Sequence, residues 1–371
     1  MTFFEYAGNL HMHTPYSDGA AYHTEIAQAA IRSNLDFIIV TDHNVLVKGV
    51  EGYYGSPDAG VVLLLTGEEV HDRCRAPQRN HCLVYGVSSE MSPYAMNPQT
   101  LVNTVHRAGG LTFLAHPFDK PLRWQKESIG ISWDDWNIEG FTGLEIWNFM
   151  SNFKGKVKSP LHTIRNLFEP ERLIKSPQPE AVEKWDELLA EGHKVVAIGN
   201  ADAHAARYSF GPVKQIIFPY DFLFNCINTH ILTPTPFAGD TAHDAQLIYH
   251  ALKMGRVFVA NHIVDDPRGF RYTGQGGKGG LSVQMGGSIR LESGVTLQTL
   301  VPQRATIKLI CYGEVVHTQE NVTNLTYVAR EPGAYRVEVW QGDWCWILSN
   351  PIYVEPNLKS ITSEMIYQTK K

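Results

Sequence analysis

Short, nearly continuous apolar segments alternate with helical patterns through the first two-thirds of this 371-residue sequence. Residues 36–40, 61–65 and 111–115 are examples. A strand that is apolar on both faces needs cover on both faces, which is typical of parallel strands connected by helices. At least six such segments, within a length that suits a barrel of ~250 residues, predict an α/β fold whose parallel sheet closes on itself.

The pattern changes after about Gly269. A glycine-rich stretch covers 274–287, and beyond it polar and apolar residues alternate in short segments separated by turns such as Pro332-Gly333. Alternation with closely spaced turns is typical of antiparallel sandwiches. We therefore predict two domains, a barrel over residues 1–269 and a small immunoglobulin-like β-sandwich over residues 270–371 that ends in a polar tail.

Histidine and acidic residues follow the predicted strands of the first domain at their carboxyl ends. His43, Glu69, His116 and Asp202 each stand directly after an apolar segment or close its end. Sites in barrels are assembled at this edge, and imidazoles with carboxylates are ligands that divalent metal ions prefer. A capping, turn or core role explains each residue singly, but such roles would have to hold independently at every strand. The pattern therefore predicts a metal site.

Two motifs place a pair of ligands two residues apart. His11 and His13 form one pair, and Asp202 and His204 form the other. In an extended segment, side chains at i and i+2 point to the same side. Each motif can therefore direct both of its side chains at one ion.

Eight motifs follow one another along the first two-thirds of the chain, at residues 9–14, 17–19, 41–44, 67–69, 81–83, 115–117, 145 and 199–204. In their order and spacing they resemble the PHP family, named for polymerase and histidinol phosphatase, over roughly residues 3 to 265. The C-terminal segments 333–339 and 349–353 are similar to a metallohydrolase branch of that family that includes carbaryl hydrolase-like proteins. The resemblance implies a distorted (β/α)7 barrel that holds two to three divalent ions of zinc, manganese or iron.

The same resemblance implies a set of metal ligands, of which we predict Asp18, His43, Asp202 and His204 to be catalytic. Some relatives have histidine where this chain has Asp18, and a carboxylate there favours manganese or iron over zinc. The implied ligands are His11, His13, Glu69 and Asp202 for the first ion, Asp18, His43 and His204 for the second, and His81 and His116 for the third, with Glu69 shared between the first and the third.

The function implied by this ligand set is that of a metal-dependent phosphoesterase. A hydroxide bridging two ions would attack the phosphorus of a small anionic phosphate ester. Arg207, His71 and His262 are predicted to contact the substrate. Two alternatives stay open: a metallohydrolase of a carboxylic ester, amide or carbamate that uses the same metal centre, and a non-catalytic metal-bearing binding or scaffold protein.

Net charge, hydropathy and cysteine content limit the classes of binding partner and of cysteine site that we expect. The net charge of −6 gives no general attraction to nucleic acid, and no run of about 18 apolar residues suggests a membrane span. Five scattered cysteines without a CxxC motif disfavour both a disulfide framework and a thiolate zinc site. We expect a cytoplasmic enzyme with a small-molecule substrate, and the sequence allows an oligomer.

Overall fold

The computed structural model describes residues 2–122, 128–161, 166, 169–210, 213–276 and 280–357. The α-helices of this part are α1 (His23–Arg32), α2 (Pro98–Arg107), α3 (Phe149–Lys156), α4 (Pro179–Ala190), α5 (Tyr220–Phe224) and α6 (Thr241–Lys253). The strands are β1 (Phe4–Asn9), β2 (Phe37–Val40), β3 (Gly52–Ser56), β4 (Gly60–Val70), β5 (Cys82–Tyr85), β6 (Leu111–Leu114), β7 (Gly143–Asn148), β8 (Val196–Asn200), β9 (Arg207–Phe210), β10 (Val213–Ile216), β11 (Ile227–Thr233), β12 (Val257–Asn261), β13 (Arg271–Gly276), β14 (Leu281–Gln284), β15 (Ser288–Arg290), β16 (Val295–Cys311), β17 (Glu314–Ala329), β18 (Gly333–Gln341), β19 (Trp344–Ser349) and β20 (Ile352–Glu355).

The chain forms a mixed α/β structure in which eighteen of these strands belong to one sheet, while β9 and β10 form a separate antiparallel pair. Three of the described helices have a side-chain cap at the amino end. The side chains of Asn97, Asn148 and Asp240 accept hydrogen bonds from the amides of Thr100, Ser151 and His243, in α2, α3 and α6 respectively. Within the described residues, no helix is long and apolar enough to cross a membrane.

The first half of the sheet is mostly parallel, as the continuous apolar segments predict. Parallel pairs join β1 to β2, β2 to β4, β6 to β7 and β7 to β8. The exceptions are β3, which is antiparallel to β4, and β5, which is antiparallel to both β4 and β6, so the expectation of uniformly parallel strands is wrong. Only residues 71–81 separate β4 from β5, and a parallel crossover needs roughly a dozen residues or more. Because β5 is reversed, its amino end lies beside the carboxyl ends of its neighbours.

The carboxyl ends of β1 and β8 also meet. Met12, just after β1, forms a parallel bridge with Ala203, and the Leu10 amide donates to the Asn200 side chain over 2.9 Å. These contacts bring the segment that carries His11 and His13 against the segment that carries Asp202.

The sheet continues into the C-terminal region through β11, β12 and β19, each antiparallel to the next. Most strand pairs beyond Gly269 are antiparallel, as predicted, but β15 and β20 pair in parallel. The buried Arg336 guanidinium on β18 binds the Asp186 carboxylate on α4 at 2.8 and 2.7 Å. This ion pair fastens the C-terminal strands to the first region. Of the predicted polar tail, residues 358–371 lie outside the described residues.

Candidate metal centre

The carboxylate of Glu69 lies at the centre of a group of imidazoles. Glu69 is near the end of β4, only 1% of it is exposed, and its backbone forms a parallel bridge with His43 just after β2. Both carboxylate oxygens contact several rings, which is more than one carboxylate needs for its own hydrogen bonds. Oε1 lies 2.7 Å from His81 Nδ1 and 3.0 Å from His116 Nε2, and Oε2 lies 3.1 Å from His11 Nε2, 3.1 Å from His43 Nδ1 and 3.3 Å from His13 Nε2.

Two aspartates extend this arrangement toward the solvent. Asp202 Oδ1 is 3.3 Å from the Nε2 atoms of His11 and His13 and 3.5 Å from His204 Nδ1. Asp18 Oδ1 is 3.3 Å from His204 Nε2, and its Oδ2 is 3.7 Å from His43 Nε2.

The nine predicted ligands therefore lie together, and we call them the Glu69 cluster. Each potential metal-binding group brings one ligand atom per residue within 4.8 Å of the others. Three of the groups match the implied division of ligands, except that the second group also contains His13. The fourth group contains His71 together with His43 and His81, which are members of the cluster. The groups are His11, His13, Glu69 and Asp202; His13, Asp18, His43 and His204; Glu69, His81 and His116; and His43, His71 and His81.

Exposure increases across the Glu69 cluster in one direction. The side chains of His11 and His13 are fully buried, that of Asp202 is 13% exposed, those of His43 and His204 are 22% and 21% exposed, and that of Asp18 is 55% exposed. The Asp18 side is therefore the open side, through which a solute can reach the buried carboxylate.

Two members of the cluster have an unusual backbone conformation. His116 adopts φ of +29° and Asp202 φ of +57°, which are left-handed conformations that non-glycine residues seldom take. Such strain persists where the surroundings dictate the conformation, as they commonly do at functional sites.

Glu145 on β7 supports the cluster without belonging to any of the potential metal-binding groups. Its Oε1 is 3.0 Å from His11 Nδ1 and accepts a 3.0 Å bond from Asn200 Nδ2, while its Oε2 accepts bonds from the His116 amide and from Asn148. A carboxylate on the far nitrogen of a ligating histidine fixes the ring and its tautomer. The sequence motifs include Glu145, but inside an apolar strand nothing in the pattern indicates this orienting role.

Asp42 holds the loop that carries Asp18. Its carboxylate accepts bonds from the amide and hydroxyl of Thr14, both at 2.7 Å, and from the Ser17 hydroxyl at 2.6 Å. The Thr-Asp-His motif contains Asp42, and only the folded loop shows which residues it binds.

The charges of the Glu69 cluster are strongly coupled. Burial alone would raise the pKa of Glu69, but the imidazoles of His43, His11 and His81 hold that pKa well below its usual value. For His13 and His116, burial opposes protonation, yet carboxylate contacts raise each pKa to about 9. Among the described residues, no lysine or arginine pairs with Glu69 or Asp202. Positive charge must therefore come from protons on the imidazoles or from bound cations.

Three buried imidazole nitrogens indicate whether metal ions fit the Glu69 cluster. His13 Nε2, His43 Nδ1 and His81 Nε2 are buried and form no hydrogen bond, in the part of the chain that the structure describes. Two of them, His13 Nε2 and His43 Nδ1, lie 3.3 and 3.1 Å from Glu69 Oε2 without the geometry of a hydrogen bond. A buried polar atom that lacks its hydrogen bond costs about 1–3 kcal/mol. Imidazole nitrogens with such vacant positions, next to carboxylates, are a donor set that suits Zn²⁺, Mn²⁺ or Fe²⁺.

The three predicted substrate contacts have different outcomes. His71 is buried beside the cluster, and its ring stacks on that of His81 with centroids 4.2 Å apart. Arg207 begins β9, but its side chain lies outside the described residues.

The structure does not bring His262 into the cluster. Its Nε2 atom lies 2.8 Å from His230 Nε2, and His230 in turn binds Glu5 near the start of β1. His11 follows the other end of β1, six residues and about 20 Å farther along. A short apolar strand ending in histidine resembles the other motifs, but β12 is antiparallel to β11 and ends elsewhere.

Comparisons with solved structures give weak similarities. A two-domain protein from Bacteroides vulgatus, described as containing a predicted PHP-like metal-dependent phosphoesterase, is 15% identical over 94% of this chain and 95% of its own, with a TM-score of 0.41. A protein from Bifidobacterium adolescentis, described as a presumed metal-dependent phosphoesterase, is 15% identical over 53% of this chain and 87% of its own, with a TM-score of 0.31. No curated protein matches the chain.

The family comparison is more definite. The model of the PHP domain matches residues 9–199, slightly more than half of the chain. The matched segment runs from Asn9, the last residue of β1, to Gly199 in β8, and it contains seven members of the Glu69 cluster. The chain therefore belongs to the PHP domain family.

Proposed function

We propose that this protein is a metal-dependent phosphoesterase that hydrolyses a small phosphate ester with two to three divalent ions. The observation that carries the proposal is the buried carboxylate of Glu69, which contacts five imidazoles and has no lysine or arginine partner among the described residues. Overlapping ligand groups around one carboxylate suit neighbouring ions, and such ions stabilise both the attacking and the leaving oxygen of a phosphoryl transfer.

The ligands divide among the ions as the family resemblance implies. When bound, divalent ions lower the pKa of a coordinated water toward neutrality and polarise the phosphoryl group. His11, His13, Glu69 and Asp202 would hold the first ion, Asp18, His43 and His204 the second, and His81 and His116, together with Glu69, the third.

Residues of the chain prepare those ligands. Glu145 accepts a hydrogen bond from Nδ1–H of His11, and the carbonyl of Ile131, 3.1 Å away, accepts one from Nδ1–H of His116. Both histidines then present Nε2 as the ligand atom. Asp18, His43 and His204 line the open side, so the ester would approach from there. Arg207 stays a predicted substrate contact.

We also propose a finer description of the fold. Strands β1, β2, β4, β5, β6, β7 and β8 pair in succession, and the bridge between Met12 and Ala203 brings the last beside the first. This order supports a distorted seven-stranded barrel over residues 1–269. A sandwich-like domain would then cover residues 270–371.

The experiment is a turnover panel on protein loaded separately with Mn²⁺, Zn²⁺ or Fe²⁺. Its substrates are phosphomonoesters, phosphodiesters, aryl esters and carbamates. The proposal predicts phosphate release that is lost in His11→Ala and kept in His106→Ala, which alters an exposed histidine on α2. Cleavage of esters or carbamates alone would replace phosphoesters as the substrate, and full metal content without any turnover would indicate a binding protein.

A further inference from the structure

The loop between β4 and β5 carries three arginines, and they are not equivalent. Arg75 forms a 2.7 Å ion pair with Asp134, and Arg79 lies 4.0 Å from the same carboxylate and donates to the Gly130 carbonyl. Arg73 pairs with no carboxylate among the described residues. One loop therefore contains two arginines near a carboxylate and one whose charge is available.

Arg73 is held at the edge of the Glu69 cluster. Its Nη2 atom donates to the backbone carbonyl of His43 over 3.3 Å and lies 3.5 Å from that of Asn44. The imidazole of His43 lies between Asp18 and Glu69 on the open side of the cluster. The guanidinium is exposed, and most of its five N–H donors are not used by these contacts.

The charge of Arg73 lies at the entrance of the site. Its guanidinium contacts the backbone of His43 and Asn44, and the side chain of His43 lines the open side of the Glu69 cluster. A cation at this position is close enough to attract an anion toward the entrance.

We propose that Arg73 binds the dianionic phosphate group of a monoester at the open side of the Glu69 cluster and thereby favours monoesters over diesters. The inference rests on the proposed function and names its substrate class. A guanidinium matches two phosphate oxygens with two parallel N–H donors. A monoester near neutral pH offers one more negative charge and one more free oxygen than a diester, so the same arginine binds it more strongly.

Binding of inorganic phosphate to the Mn²⁺-loaded protein, measured by titration calorimetry, tests this without turnover. Arg73→Gln should weaken phosphate binding about tenfold to a hundredfold, the usual effect of losing a hydrogen bond between charged groups. Arg75→Gln removes the same charge from the same loop, and it should change binding less than twofold. Equal effects of the two variants, or no phosphate binding by the wild type, would overturn the inference.

Turnover measurements distinguish a failure of this inference from a failure of the proposed function. Arg73→Gln should raise KM for a phosphomonoester about tenfold with little change in kcat, and it should affect a phosphodiester less; Arg73→Lys should recover part of the loss. A wild type that hydrolyses monoesters, with unchanged KM in Arg73→Gln, would refute the inference and keep the proposed function. Phosphate binding that depends on Arg73, in a protein without phosphoesterase activity, would keep the inference that Arg73 binds phosphate and refute the proposed function.

Discussion

Histidine is buried beside glutamate in two regions of this molecule, and the two regions differ in how their charges are met. At the base of β1, Glu5 accepts bonds from His230 and the Gly269 amide and pairs with Arg271, and His230 in turn contacts His262. In the Glu69 cluster, five imidazoles contact one carboxylate and three ring nitrogens form no hydrogen bond.

The difference separates a structural site from a candidate metal site. Arginine supplies a permanent positive charge to Glu5, and none of the side-chain atoms of Glu5, His230 and His262 is among the buried unpartnered atoms of the described residues. Within the part of the chain that the structure describes, Glu69 has no such cation. Histidine and glutamate in contact are thus insufficient evidence for a metal, whereas surplus ligand atoms without a fixed counter-charge are informative.

Glu69→Gln has the largest expected effect. The amide carries no charge and presents an N–H₂ group to rings that need a shared acceptor, so metal binding and turnover should fall together, with kcat/KM reduced about a thousandfold or more. Metal content by plasma mass spectrometry and phosphoester hydrolysis are the measurements.

Glu5→Gln is the matched control for that variant. It alters a buried glutamate side chain whose histidine neighbour lies outside the cluster, so it should lower the unfolding temperature but keep the metal. Loss of metal in Glu5→Gln as well would mean that both variants act only through the fold.

Removal of the metal should destabilise the protein. A ligand that binds only the folded state contributes about 3 kcal/mol at a hundred times its dissociation constant, which corresponds to about 4 °C in unfolding temperature for a chain of this length. A chelator should therefore lower the wild-type transition by that amount. The transition of Glu69→Gln should not move, and an equal shift in both proteins would locate the effect outside the cluster.

Glu145→Gln should have an intermediate effect. The glutamine keeps the shape but not the charge that orients the His11 ring and binds the His116 backbone amide. Loss of such a supporting contact typically reduces metal affinity or activity 10- to 100-fold. The measurement is the Mn²⁺ concentration that restores half-maximal turnover, with Gln99→Glu as a surface control; an unchanged requirement would show that Glu145 is only a core residue.

Glu68→Gln has the smallest expected effect and adds a third kind of buried glutamate, with neither imidazole nor arginine. Burial raises the pKa of Glu68 from 4.5 to about 7. Because the folded state holds this proton more tightly, the stability of the wild type falls as pH rises from 4.5 through 7, relative to the glutamine variant. In chelator-treated proteins, the variant should gain about 3 kcal/mol of unfolding free energy at pH 8 and almost nothing at pH 4. A gain that is the same at both pH values would contradict the prediction.

The sequence predicted the location of the cluster better than its surroundings. The rule that sites form at the carboxyl ends of strands holds for His43, Glu69 and His116, because parallel neighbours bring those ends together. His81 reaches the same edge from the amino end of the reversed strand β5, which a run of apolar residues does not reveal. Strand direction depends on the connection, and periodicity carries no direction.

Long-range packing explains what the sequence pattern left out. The contacts of Glu145 come from residues 3 to 134 positions away, so its role follows only from the folded arrangement. His262 has the same local pattern as the ligands, yet β12 directs it toward His230. The continuity of the sheet through β12 and β19 is likewise invisible in composition, which changes sharply near residue 270.

The most direct test is anomalous X-ray scattering from crystals equilibrated with Mn²⁺. The contrast between the two histidine sites predicts two or three anomalous peaks within the Glu69 cluster, with ligand atoms of Glu69 next to more than one of them, and no peak beside His230 and His262. A cluster without any peak under these conditions, or a peak at His230 and His262 instead, would contradict the assignment of Glu69 as the centre of a metal site.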